Sequence, residues 1–168
     1  MSPMIRYLQG HFAAYRQRAK WPFLWRISLE SLVVPLVIAV PIVKFFHLPT
    51  RSDLVQMSDW KLVAEAVILA PFVETLLLQA LPVRLARSFG WGFWAQVAAS
   101  NVIFALPHFL IAASSGIGVG LFAGFYAAFT YVHWRGTSER TAVWMTTGVH
   151  ALHNLVAIAF ALIARHHR

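Results

Sequence analysis

Five apolar stretches, each close to twenty residues long, most limit how this chain can fold. They run over about Leu24–Phe46, Leu62–Arg84, Gly92–Ala113, Ile117–Trp134 and Val143–Ala164. A bilayer span needs about 20 mostly apolar residues. The pattern therefore predicts an all-α, polytopic membrane bundle with five transmembrane helices. Composition points the same way. Hydrophobic residues make up 59% of the 168 positions and charged residues 12%, against roughly 45–50% and about 25% in soluble domains. A soluble chain of this length could not hide that excess in one core, so a water-soluble globule is excluded. Disorder is excluded too, because it requires low hydrophobicity. The absence of cysteine rules out a disulfide framework, cysteine-ligated metals and a thiol nucleophile.

The first stretch is too long for a cleaved signal peptide and lies behind a basic, amphipathic leader. In that leader Ile5, Leu8, Phe12 and Tyr15 recur near helical spacing, with Arg6, Arg16, Arg18 and Lys20 among them. The pattern predicts an N-terminal amphipathic helix at the membrane interface. Anionic lipid headgroups account for its charge, and no nucleic-acid partner is expected. Basic residues also set orientation. Nine lie on the leader's side (Arg6, Arg16, Arg18, Lys20, Arg26, Arg84, Arg87, Arg135, Arg140) and five on the other (Lys44, Arg51, Lys61, Arg165, Arg168). The N-terminus is thus predicted to be cytoplasmic and the tail to lie outside, and the compact size suits a bacterial inner membrane. Residues 1–60 read as leader, first span and the loop Leu48–Asp59. Residues 61–168 read as a four-helix core that carries the chemistry.

Ionisable groups at membrane depth cost roughly 2.5–3.5 kcal/mol on insertion scales, so each needs a reason. Glu74 lies about 12 residues into the second stretch, roughly 18 Å along a helix. No Lys or Arg lies within nine residues of it. Thr75 and Gln79 follow, and with Glu74 they could line one broad polar stripe. Pro71 removes an N–H one turn earlier and frees the Val67 carbonyl. The third stretch carries Asn101, Phe104 and His108, with Pro107 just before the histidine. The fifth carries His150, His153 and Asn154. Phe104 and His108 are one helical turn apart, as are His150 and Asn154, so each pair shares a face. Asn101, Asn154 and Gln79 are residue types that commonly bridge helices, Thr146 and Thr147 read as satisfying their own helix backbone, and His153 reads as structural or as support behind the site. Gly116, Gly120 and Gly124 fall four apart and make a smooth face for close packing. A bare carboxyl group at mid-depth has no cheap structural use, so Glu74, His108, His150 and Asn154 are the candidate site.

These residues resemble the CPBP family, the CAAX prenyl-protein endopeptidases and bacteriocin-processing enzymes, or intramembrane glutamic proteases (Abi-type). The family pattern is Glu-Glu-x-x-x-Arg, then Phe-x-x-x-His, then His-x-x-x-Asn, on successive membrane helices. Here the first motif reads Glu74-Thr75-Leu-Leu-Leu-Gln79, the second Phe104-Ala-Leu-Pro-His108 and the third His150-Ala-Leu-His-Asn154. The second and third match. The first keeps its leading acid and replaces the second acid by Thr75 and the base by Gln79.

The resemblance implies hydrolysis of a peptide bond by an activated water, without a cofactor or metal. Its substrate would be a peptide or protein at the lipid bilayer. Glu74 would be the general base and His108 would hold the same water. His150 and Asn154 would donate to the oxyanion, with Thr75, Gln79 and Phe104 behind them. Three other readings remain open. Glu74, His108 and His150 could form a two-His, one-carboxylate zinc site. The cluster could serve a proton-coupled carrier, although the chain has no internal repeat. A non-catalytic relative could grip a peptide as a scaffold, assembly factor or immunity protein.

Overall fold

A computed structural model describes residues 6, 10–49 and 57–167. No strand occurs among them, and five helices are long and apolar enough to cross a bilayer. We label them α1 (Lys20–Phe45), α2 (Asp59–Ser88), α3 (Phe93–Ile111), α4 (Ala113–Arg135) and α5 (Glu139–His166). The integral membrane architecture expected from the sequence is the one observed. Boundaries moved by a few residues. α2 starts at Asp59 and runs to Ser88, and α3 and α4 are separated only by Ala112, whose backbone is extended (φ −163°, ψ 145°).

α4 is the central helix. Two thirds of its most apolar window (67%) is buried, against 28–33% in the other four. Its glycines explain how it comes so close to α3. A Cβ on Gly120 would stand 3.0 Å from the Ala105 backbone, one on Gly116 2.2 Å from the Phe109 ring, and one on Gly124 2.6 Å from the Phe104 ring. The row of glycines therefore packs against α3, as a small-residue stripe does where no hydrophobic effect drives association.

α2 is not a uniform α-helix. Two six-residue segments, Ala64–Leu69 and Thr75–Ala80, have π geometry, and each is followed by a residue and then a proline, Pro71 and Pro82. The cause is local. A proline cannot donate to the carbonyl four residues back, so the preceding turn relaxes to i→i+5 bonding. Ala70 N–H accordingly reaches the Glu65 carbonyl, and Leu81 N–H the Leu76 carbonyl. A third π segment, Gly116–Ala123, covers the glycine-rich half of α4.

Polar side chains fasten the bundle at both ends. Where α4 turns into α5, Glu139 accepts from Arg84 Nε (2.9 Å) and Tyr131 Oη (2.5 Å) and pairs with Arg135 Nε (2.6 Å). At the opposite end Asp59 accepts from Arg165 Nη1 (2.5 Å) and contacts His166 Nε2 (2.9 Å), which ties the start of α2 to the end of α5. The leader closes in a 3₁₀ turn, Ala14–Gln17. Its Phe12 and Tyr15 are buried among Phe23, Phe129 and other core rings of α1 and α4. The aromatic side of the leader thus faces protein. Ile5 and Leu8, the other two members of its apolar pattern, lie outside the described residues, as do positions 50–56 of the first loop.

Candidate active site

Glu74, His108, His150 and Asn154 come from three helices and line one cavity of about 380 Å³. The cavity follows α2 from Met57 and Leu62, at the Asp59 end, down to Leu78, and is otherwise walled mainly by apolar side chains of α2, α3, α4 and α5.

Each polar group is held for a reason that can be traced to the sequence. His108 Nδ1 lies 2.8 Å from the Phe104 carbonyl one turn back. A carbonyl only accepts, so Nδ1 carries the proton and Nε2 the lone pair. The Phe104 ring lies against both histidines. It stacks on His108 (4.6 Å between centroids, 24°) and meets His150 edge-on (5.5 Å, 68°). Gly124 makes the room for that ring. His150 Nε2 stands 3.7 Å from Glu74 Oε2. That exceeds a direct hydrogen bond. The Glu74 side chain is 28% exposed, against 6% for His150.

Asn154 Nδ2 donates to the Ala66 carbonyl at 2.7 Å. The π turn explains why that carbonyl needs a donor. Its α-register partner, Ala70 N–H, is already bonded to Glu65, and its π-register partner would be the nitrogen of Pro71. An orphaned carbonyl at membrane depth must be satisfied by another group, and Asn154 does so across helices. The carbonyl that Asn154 satisfies is that of Ala66, one residue before Val67.

The broad polar stripe expected along α2 does not form. Thr75 and Gln79 are fully buried and do not line the cavity with Glu74. Gln79 Oε1 accepts from the Ser100 hydroxyl of α3, which also lies 3.2 Å from the Leu78 carbonyl. The step of about 100° between neighbouring residues sends Glu74 into the cavity and Thr75 into the protein. His153 bridges helices, its Nδ1 lying 3.4 Å from Ser31 Oγ of α1, and it also lines the cavity.

Two acids were missed by the sequence reading. Glu30, inside α1, is held by Tyr15 Oη, by His11 Nε2 (2.9 Å) and by Arg26 Nε (3.3 Å). Glu65 lines the same cavity as Glu74. On a regular helix nine residues is two and a half turns, which would put Glu65 and Glu74 on opposite faces. Only the π segment Ala64–Leu69 rotates them into one cavity, and no periodicity in the sequence announces that. Among the described residues no three His, Cys, Asp or Glu side chains are grouped as a metal ion would need, Glu74, His108 and His150 included.

Fold and site together define an all-helical integral membrane protein built around a buried acid–histidine cavity. The family model described as Type II CAAX prenyl endopeptidase Rce1-like matches residues 55–156, and the chain belongs to that family, a family of proteases. The match includes all three motifs. No curated protein and no solved structure gives a match.

Proposed function

We propose that this protein is an intramembrane glutamic endopeptidase, which hydrolyses a peptide bond with a water activated by Glu74. The observation that carries the reading is the convergence of Glu74, His108, His150 and Asn154 on one cavity, within a chain of a protease family.

In this reading the water sits between Glu74 and His108 Nε2. Its oxygen attacks the scissile carbonyl carbon as the Glu74 carboxylate takes one proton, a general-base role of the kind that contributes about 10²–10⁴-fold. His150 Nε2–H donates to the developing oxyanion. The amide of Asn154 has two N–H groups, so one can hold Ala66 while the other serves the oxyanion. When the tetrahedral intermediate collapses, the C–N bond breaks and the leaving amine takes the proton from Glu74. Phe104 fixes both imidazoles. Residues 61–168 carry this chemistry.

Thr75 and Gln79 bear on the alternative, a non-catalytic peptide-binding relative. They replace an acid and a base of the family motif, which favours that alternative. Their burial away from the cavity favours catalysis, because the exchange leaves the cavity's own groups untouched. For orientation, the nine-to-five tally of basic residues supports a cytoplasmic N-terminus in a bacterial inner membrane.

The test is cleavage of membrane-anchored and prenylated peptides by the purified protein in liposomes, read by mass spectrometry. Glu74→Gln and His108→Ala are each expected to reduce turnover by about two to four orders of magnitude. Unchanged cleavage in either variant would contradict the role assigned to that residue.

A further inference from the structure

Resting on the reading of the cavity as a peptide site, we propose that Glu65 selects substrates with a cationic residue about four positions from the scissile bond. Among the described residues Glu65 and Glu74 are the two carboxylates that line the cavity, and no Lys or Arg lines it. The wall is otherwise apolar apart from Ser115, Asn154 and three histidines. A carboxylate on a low-dielectric wall attracts a cationic group of the substrate.

The spacing makes the inference quantitative. Nine residues of helix separate Glu65 from Glu74 by about 13 Å. An extended peptide covers that distance in about four residues at roughly 3.3 Å each. Glu65 lies toward the Asp59 end of the cavity, where Lys61 Nζ is 3.7 Å from its carboxylate. Both side chains are about half exposed (53% and 49%). An exposed pair of this kind is worth little, so a substrate cation can displace Lys61 at small cost. Deeper in, Glu74 meets the scissile bond.

The experiment uses the full-length protein in liposomes and a set of membrane-anchored peptides. Each peptide carries Lys, Gln or Glu at one of the six positions on either side of the cleaved bond. With the wild-type protein, Lys is expected to exceed Glu by about fivefold in kcat/KM at a position three to five residues from the bond, on one side only. The ratio should fall to within about twofold of unity in Glu65→Gln and invert in Glu65→Lys. A wild-type ratio below about twofold at every position would overturn the proposal without recourse to a variant. So would a preference that both variants retain. Binding of the same peptides to Glu74→Gln separates this proposal from the proteolytic reading. Tighter binding of the Lys peptide, dependent on Glu65, supports it even if no peptide is cut, whereas cleavage without charge preference overturns it and leaves proteolysis standing.

Discussion

Glu30 and Glu74 are both carboxylates inside apolar helices, and their surroundings give them opposite uses. Glu30 is surrounded by donors: Tyr15, His11 and Arg26. Burial first, and then the neighbouring Glu30 carboxylate, raise the Tyr15 hydroxyl above its ordinary pKa, so it stays a donor. Such an acid holds structure together. Glu30→Ala should lower the melting temperature, with a loss of about 1–3 kcal/mol from the buried donors left behind, while turnover per folded molecule persists. Glu74 faces a cavity, with the His150 imidazole 3.7 Å away. Gln79 supplies a third case. It is neutral and buried, and accepts from Ser100. Gln79→Arg should cost about 3–5 kcal/mol by burying an uncompensated charge. Adding Thr75→Glu should recover much of that loss, as a thermal-denaturation series on the single and double variants would show. Readable from the sequence were Glu74, His108, His150 and Asn154, because an ionisable group in an apolar run stands out by itself. Glu30 was masked by the leader, whose partners come from residues up to nineteen positions away.

The helices differ in how openly they declare their roles. The glycine row of α4 announces close packing through spacing alone, and Gly116, Gly120 and Gly124 all meet α3. Gly124→Ala should drive a methyl group into the Phe104 ring, 2.6 Å away, and displace the wall behind both histidines. We expect a loss of about 1–3 kcal/mol in stability, together with a fall in kcat larger than any rise in KM. An unchanged kcat would detach α4 from the site. α2 hides more. Its two prolines are visible in the sequence, but the π turns they permit are not, because a 3.6-residue period assumes the register that they break. Those turns bring Glu65 into the cavity and leave the Ala66 carbonyl for Asn154.

The molecule as a whole is polarised along the membrane normal. The leader packs on Phe125 and Phe129, in the half of α4 that ends at Arg135, and the cavity extends toward the other end of the bundle, where Met57 and Asp59 meet Arg165. The mouth and the C-terminal tail therefore share a side. A reporter fused to the tail should read as non-cytoplasmic, and a cytoplasmic signal would reverse the orientation of mouth and leader together. The five spans and their order followed from hydropathy, since lipid demands long apolar helices. How the spans surround a cavity depends on side-chain packing among helices distant in the chain, which hydropathy does not encode. Strong chelation should leave peptide cleavage unchanged, because the site's proposed chemistry runs through Glu74 and two imidazoles. A chelator-sensitive activity restored by zinc would contradict that. The most direct measurement compares wild-type and Glu74→Gln proteins on one membrane peptide, reading cleavage and binding side by side. The expected result is cleavage lost by at least about a hundredfold with affinity kept within a few-fold. Equal cleavage by the two proteins would contradict the role of Glu74 as the base.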